Sequence, residues 1–472
     1  MATTYLTAAA DSGPRPDGQF AGHGRRRRDP YLLAAGFFVI YAVLSTSRYL
    51  NFKTMSWDLG IFEQVIGSYA RLQPPVSDLK GPGFLILGDH FSPMVALISP
   101  FYRLFPTAIT MLIAQALLFA LAVVPVTRTA ARLLGRANGV AIGVAYGLSW
   151  GVQRAVDFDF HEICFAVPMI AFALEALVHQ RWRTALAWAL PLVLVKEDLG
   201  LTAAAIAMLV ALRARHTQPR IVTVAISVGT ACVLACVVTV GVVIPGFSAA
   251  GDYDYWSKLS SAGGLAGGDI DEKVRTLLWI LLPTTGLLAL RSPLLLASVP
   301  TLAWRFLSND EHYWSTDWHY NAVLMPIVTL ALVDAIPRLR HNRLRAYAHH
   351  LPLALSAVAL ALSTALPVAS LTHAETYRTG PEARAADQAL ATIPDRASVE
   401  ANIVPSAHLA PRCQVYWIGD TRGITPDYIA YYDATMTWQG VLDYARRLHP
   451  NATYTPLIDT DGYWILRRVS PG

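Results

Sequence analysis

The chain has 472 residues, 54% of them hydrophobic and only 15% charged, with a net charge of +5. Its mean hydropathy is +0.38. Such a chain is too apolar for a soluble enzyme and reads as a polytopic α-helical membrane protein. Its surplus of arginine is not a nucleic-acid signal. The arginines at 25–28, 128–136, 181–183, 213–220, 291 and 338–345 fall in alternate loops that hold almost no acid. By the positive-inside rule those loops are cytoplasmic and face anionic lipid.

Residues 1–28 are rich in glycine, proline and alanine, end in four arginines and show no cleavable signal. They read as a disordered cytoplasmic tail, followed by a transmembrane domain over 29–371 whose first span is a signal anchor. Uncharged runs at 30–47, 104–127, 221–251 and 351–372 are long enough to cross a bilayer. Shorter apolar runs near 137–153, 163–178, 184–195, 199–212, 276–290, 293–306 and 321–336 fill the intervals. At roughly 20 apolar residues per crossing, the pattern predicts about eleven spans. The outer loops are then 48–106, 154–162, 247–272 and 307–320.

Within the first outer loop, Leu59, Ile61, Phe62, Val65, Ile66 and Tyr69 have the spacing of an amphipathic helix lying at the membrane interface. Residues 91–105 are apolar but broken by Pro93 and Pro100, and read as an outer-leaflet or re-entrant helix. An odd number of spans leaves the C-terminus outside. From 372 to 472 the composition changes, and the pattern predicts helices at 381–393 and 437–448 and strands at 397–402, 413–418, 427–432 and 462–468. This is a small extracytoplasmic α/β domain of roughly 100 residues, enough for an independent core. Cys164, Cys232 and Cys236 lie in apolar segments and Cys413 has no neighbour in sequence, so neither disulfides nor a structural metal are expected.

Five clusters of ionisable residues fall on the predicted outer face, and each has a functional and a structural reading. Asp58 suits a general base toward an acceptor hydroxyl, or a helix N-cap. Asp157 and Asp159 suit a shared divalent cation bound to a phosphate oxygen, with His161 and Glu162 beside them, or a polar surface turn. Asp89 and His90 follow the flexible Gly81-Pro82-Gly83; the histidine suits a metal, a proton or a phosphate, or is simply a satisfied loop residue. Lys196-Glu197-Asp198 caps two apolar segments, either as a mutual salt bridge or with Lys196 neutralising a lipid phosphate. The aromatic stretch through Trp318 and His319 reads as an interface belt or a sugar platform.

These clusters resemble a bacterial membrane family, domain of unknown function 2079. The resemblance rests on Trp57-Asp58-Leu59-Gly60-Ile61-Phe62-Glu63-Gln64, Gly88-Asp89-His90-Phe91-Ser92-Pro93, Asp159-Phe160-His161-Glu162 and Lys196-Glu197-Asp198-Leu199-Gly200, and covers about 35–435. The family looks like a branch of the GT-C glycosyltransferases. That likeness implies a GT-C-like fold, a polyprenyl-phosphate-linked sugar donor, an outward-facing site and an essential acid in the first outer loop. By position Asp58 is that acid. Many such enzymes show two adjacent acids there, whereas here Asp58 is followed only by Glu63. Some relatives hold a metal, Mg or Mn, in the second outer loop, where Asp157 and Asp159 lie with His161 and Glu162.

The resulting expectation is a glycosyltransferase of the bacterial inner membrane. It would move a sugar from a lipid-phosphate carrier to an outer-face acceptor, with Asp89, His90, Lys196, Glu197, Asp198, Trp318 and His319 binding substrate. Two other functions fit the same membrane protein. One is a transporter or flippase of a lipid-linked or anionic substrate, which calls for ionisable groups near the bilayer midplane. The other is a non-catalytic scaffold.

Overall fold

The computed structural model describes residues 18–258 and 270–469, with side chains from Arg28 onward. It is a helical bundle with a small mixed sheet on one end. The bundle begins with α1 (Gly18–Leu50), α2 (Asp58–Ala70), α3 (Ser99–Leu104), α4 (Ala108–Leu134), α5 (Arg136–Gly147) and α6 (Trp150–Asp157). It continues through α7 (Ala166–Val178), α8 (Trp182–Ala189), α9 (Leu199–Ala214) and α10 (Pro219–Val238). A π segment runs α10 into α11 (Ile244–Phe247), and α12 (Ile270–Thr285), α13 (Val299–Leu307), α14 (Glu311–Trp314), α15 (Leu324–Ala335) and α16 (Asn342–Ser363) complete it.

Among the described residues, five helices are long and apolar enough to cross a membrane: Arg28–Leu50, Ala108–Leu134, Pro219–Phe247, His319–Arg338 and Asn342–Ser363. The shorter apolar helices Trp182–Leu194, Leu199–Ala214 and Pro293–Leu307 lie where short runs were expected. This mixture of long and short helices follows the mixture of long and short apolar runs in the sequence. Two predicted spans are interrupted. The run at 137–153 breaks between α5 and α6, and 276–290 ends early because Gly286 and Leu287 both take left-handed backbone, with φ of 53° and 65°.

Three other expectations are corrected. Residues 1–17 of the predicted tail lie outside the described residues, but the backbone is already helical from Gly18. The arginines at 25–28 are good helix formers and extend α1 backwards. Helix α2 does not present a polar face to water; none of its residues is exposed. Nine of its residues are buried, because the C-terminal domain covers its second face. The loop 247–272 is narrower than expected, since α12 begins at Ile270; residues 259–269 of it lie outside the described ones. Residues 93–104 form a 3-10 turn followed by α3, too short to span, with Leu97, Phe101 and Leu104 exposed.

The C-terminal domain comprises α17 (Pro381–Leu390), β1 (Ser398–Ala401), α18 (Ile403–Leu409), β2 (Gln414–Trp417), β3 (Tyr428–Tyr432), α19 (Trp438–Leu448), β4 (Tyr454–Thr460) and β5 (Tyr463–Arg468). The sheet order is β2-β1-β3-β5-β4; β1 pairs parallel with β2 and β3, and β5 pairs antiparallel with β3 and β4. The predicted helices and strands are present. Helix α18 and strand β4 are additions, because Pro405 and Pro456 mask them in sequence. The domain is docked rather than tethered. Gln64 donates to the Val415 carbonyl at 2.8 Å, and Trp57 meets Trp417 edge-on at 4.9 Å. His408 stacks on Tyr49 and Phe52 at 4.3 and 3.8 Å.

Helices α4 and α5 pack so closely that a Cβ on Gly139 would lie 2.5 Å from the Ala131 Cα. Helix propensity alone favours Gly139→Ala by about 1 kcal/mol. Packing against backbone reverses the sign, and the expected result is a loss of about 1–3 kcal/mol, read as a lower melting temperature in detergent. A stabilised variant would show that the two helices do not touch there.

Candidate functional site

At the bundle end that carries the C-terminal domain, four connecting segments meet. They are the loop before α3, the loop between α6 and α7, the turn between α8 and α9, and the loop after α11. Their charges alternate in space. Lys80 pairs with Asp89 at 3.0 Å, His90 Nδ1 with Glu197 at 2.8 Å, Lys196 with Glu162 at 3.1 Å and His161 with Glu162 at 2.7 Å. Glu162 is wholly buried and Lys196 nearly so. Burial opposes a charge on Lys196, but Glu162, Glu197 and Asp198 outweigh it and push its ammonium well above the usual range. Glu162 is correspondingly held well below the usual carboxylate range, with His161 and Lys196 overcoming its desolvation. Burial pushes Asp198 up to about 6.

The loop after α11 closes over this network. Tyr253 donates to Glu197 at 3.1 Å, and the Tyr255 hydroxyl lies 2.8 Å from His90 Nε2. Burial opposes a charge on His90, but Glu197 on its other nitrogen raises its pKa above the usual histidine value. Gly88 makes this closure possible, since a Cβ there would come within 2.6 Å of the Phe247 carbonyl.

Asp58 opens α2 at half-buried depth. Its backbone N–H is bonded by Ser56 Oγ at 3.0 Å, while among the described residues its carboxylate makes no hydrogen bond or ion pair. Tyr320 lies within electrostatic reach of both Asp58 and Lys196. The cap reading of Asp58 finds no support, because the residue ahead of α2 is Trp57 and no side-chain cap is made.

A model of the family described as a predicted membrane protein, DUF2079, matches residues 48–465. The chain belongs to that family. A search of curated proteins finds no match. Among solved structures, this DUF2079 chain is similar to ArnT from Cupriavidus metallidurans bound to undecaprenyl phosphate. The TM-score is 0.57 at 13% identity, over 93% of this chain and 98% of that one. The same enzyme in the apo state gives a TM-score of 0.52 at 13% identity, over 94% and 98%. At that identity the likeness shows the fold, a GT-C-like helical membrane architecture with a small C-terminal sheet.

The DUF2079 site departs from the sequence reading in three places. Asp157 and Asp159 do not share one side of an extended segment. Asp157 ends α6 and pairs with Arg48 at 3.0 Å, while Asp159 takes a φ of 78° and accepts from the Met55 N–H at 2.8 Å. With His161 turned to Glu162, these four residues do not form a common donor set. Among the described residues, no group of three or more His, Cys, Asp or Glu is placed to hold a metal ion. Glu63 is also turned away. It lies five residues after Asp58, about 140° around a helix with 3.6 residues per turn. It is buried, accepts from the Tyr102 hydroxyl at 3.1 Å, and burial pushes its carboxyl well above the usual range. Lys196 pairs across to Glu162 rather than within its own turn, whose Glu197 goes to His90. Trp318 stands half-exposed, edge-on to Phe158 at 5.4 Å, and His319 stacks on His161 at 3.6 Å.

Residues that sequence reading did not single out hold this arrangement. Gln115 donates to the Asp159 carbonyl and accepts from the His161 N–H, fixing the loop from within α4. Arg305, wholly buried, donates to the Tyr313 carbonyl at 2.6 Å and to Asn321 at 2.9 Å. The available signals were an amide inside an apolar span and a lone charge inside the apolar run 293–307. Tyr253 and Tyr255 carried the signal of alternate tyrosines in a polar loop.

Burial pushes the Asp159 carboxyl up to about 7. An acid whose folded pKa lies above its unfolded value contributes stability that is full at low pH and is lost as pH rises through the folded pKa. Asp159→Asn removes that loss and retains an acceptor for Met55. The variant is expected to melt with wild type near pH 4 and above it at pH 8, by on the order of a few kcal/mol. Equal melting at both pH values would place Asp159 in a solvated setting.

Proposed function

We propose that the protein is a membrane glycosyltransferase that takes a sugar from a polyprenyl-phosphate carrier. The observation that carries this reading is a buried ammonium, Lys196, together with a carboxylate that is unpaired among the described residues, Asp58, both within electrostatic reach of Tyr320. The fold adds support, since a structure of similar architecture, ArnT, was solved bound to undecaprenyl phosphate.

In this mechanism Lys196 meets the donor phosphate. Its three acidic neighbours, Glu162, Glu197 and Asp198, keep it charged in a desolvated place, where one cation on a leaving phosphate is worth far more than in water. The acceptor hydroxyl oxygen attacks the anomeric carbon of the sugar. The bond from that carbon to the phosphate oxygen breaks, and the carrier phosphate leaves with the electron pair. Asp58 takes the hydroxyl proton. The chain's own side chains supply each of these roles, and no step passes through a metal. The site lies on the extracytoplasmic side, because the arginine-rich ends of the bundle lie opposite it: Arg128 chelates Glu175 at 2.6 Å, and Arg213 and Arg338 hold Asp334.

Asp58→Asn keeps the side-chain size but removes the base, and should lower transfer by about a hundred- to ten-thousand-fold with expression and membrane insertion intact. The measurement is complementation of the envelope-glycan or lipid-linked-sugar change of a deletion strain, with a periplasm-active reporter fused after Gly472 to fix orientation. Full complementation by Asp58→Asn sinks the catalytic role and favours a transporter or scaffold. A reporter active only in the cytoplasm puts the site on the wrong face.

A further inference from the structure

His319 opens the turn before α15 and is only 2% exposed. Among the described residues, neither of its ring nitrogens has a hydrogen-bond partner. One face is stacked on His161 at 3.6 Å, and Phe158 and Tyr320 close in at 4.5 and 4.1 Å. The ring cannot swing out to find partners, because Arg305 pins its loop at Tyr313 and Asn321. Buried polar groups are normally paired, so two unpaired nitrogens on one pinned ring need an explanation. The adjacent Trp318 and Asp317 are half-exposed and exposed, so the chain comes to the surface next to this buried ring.

We infer that His319 is the contact for a ring hydroxyl of the transferred sugar, with Trp318 and Phe158 as the apolar wall beside it. This rests on the glycosyltransferase reading. The ring makes no ion pair with a carboxylate, whereas the neighbouring His161 has Glu162 at 2.7 Å. Burying an unpaired charge in this place is unfavourable, so the ring is neutral. A neutral imidazole offers one N–H and one lone pair. A hydroxyl both accepts and donates and satisfies the two together. A phosphate only accepts and leaves the lone pair unpaired; its partner is Lys196. The aromatic flank suits the apolar face of a pyranose or furanose.

The test measures binding to the full chain in detergent. The probes are undecaprenyl phosphate alone and undecaprenyl phosphate carrying glucose, galactose or arabinose. Wild type is expected to bind at least one glycosylated lipid more tightly than the bare one. His319→Phe keeps the stacked ring without its nitrogens. It should weaken that lipid by about tenfold, the loss of one or two hydrogen bonds, and leave bare-lipid binding unchanged. His319→Gln, which retains a donor and an acceptor, should recover part of the loss. If His319→Phe fails to fold, His319→Leu takes its place in the same measurements. Retained sugar preference in the apolar variant overturns the inference, as does equal weakening of bare and glycosylated lipid. Wild type that gains nothing from any of the three sugars overturns it too, while the lipid reading stands. Wild type that binds no lipid at all removes the functional reading itself.

Discussion

The buried pair between Lys196 and Glu162, 3.1 Å apart, is the constraint on which the rest of this site depends. Neither charge is tolerable alone in that place, since removing one partner of a buried pair strands the other at a cost of about 3–5 kcal/mol. The pair therefore fixes where the turn between α8 and α9 sits relative to the loop between α6 and α7. Once it is fixed, the neighbouring charges fall into alternation: His161 beside Glu162, His90 beside Glu197, Lys80 beside Asp89. Four segments far apart in sequence are thereby held at one end of the bundle. Buried ionic networks of this kind are poor sources of net stability, which is consistent with the proposed role of this one in meeting a charged ligand.

The C-terminal domain supplies the other boundary. By covering α2 it converts an amphipathic helix into a buried one and so sets the height of Asp58. The contacts are mostly aromatic and backbone-directed: Trp57 on Trp417, His408 between Tyr49 and Phe52, Gln64 on the Val415 carbonyl. Asp58 is left at half-buried depth between the two layers, with its carboxylate unpaired, while Glu63 on the same helix is driven into the core against Tyr102. The same helix thus carries one acid left unpaired among the described residues and one held in the core. The difference comes from rotation about the helix axis and not from residue type.

The two ends of the bundle solve the problem of buried acids in different ways. Opposite the C-terminal domain, Glu175 is enclosed by Arg128, Arg132 and Arg181, and Asp334 by Arg213 and Arg338. There the arginines outnumber the acids, which fits a surface facing anionic headgroups. At the candidate site lysine and histidine replace arginine, and the acids outnumber the lysines. Lysine is a compact charge that a phosphate can share, and histidine can donate or accept. The division of labour between the ends follows from these side-chain chemistries.

By itself the sequence determined the class, the arginine asymmetry, the elements of the C-terminal domain and the clusters in which the site residues occur. Those features are local: they depend on apolar run length, on period and on which residues are neighbours in the chain. Tertiary structure decided everything that depends on direction. The left-handed backbone at Asp159 sends its carboxylate to the Met55 N–H while Asp157 goes to Arg48, so the D-x-D pattern does not become a pair. Lys196 answers to Glu162 and not to its own neighbours, because the turn between two short helices points it across the bundle. Tyr253, Tyr255, Gln115 and Arg305 join the site from segments with no motif of their own. A charge in a linear sequence has no partner until folding gives it one. In a low-dielectric interior, the partner and its direction decide whether that charge is structural or available for chemistry.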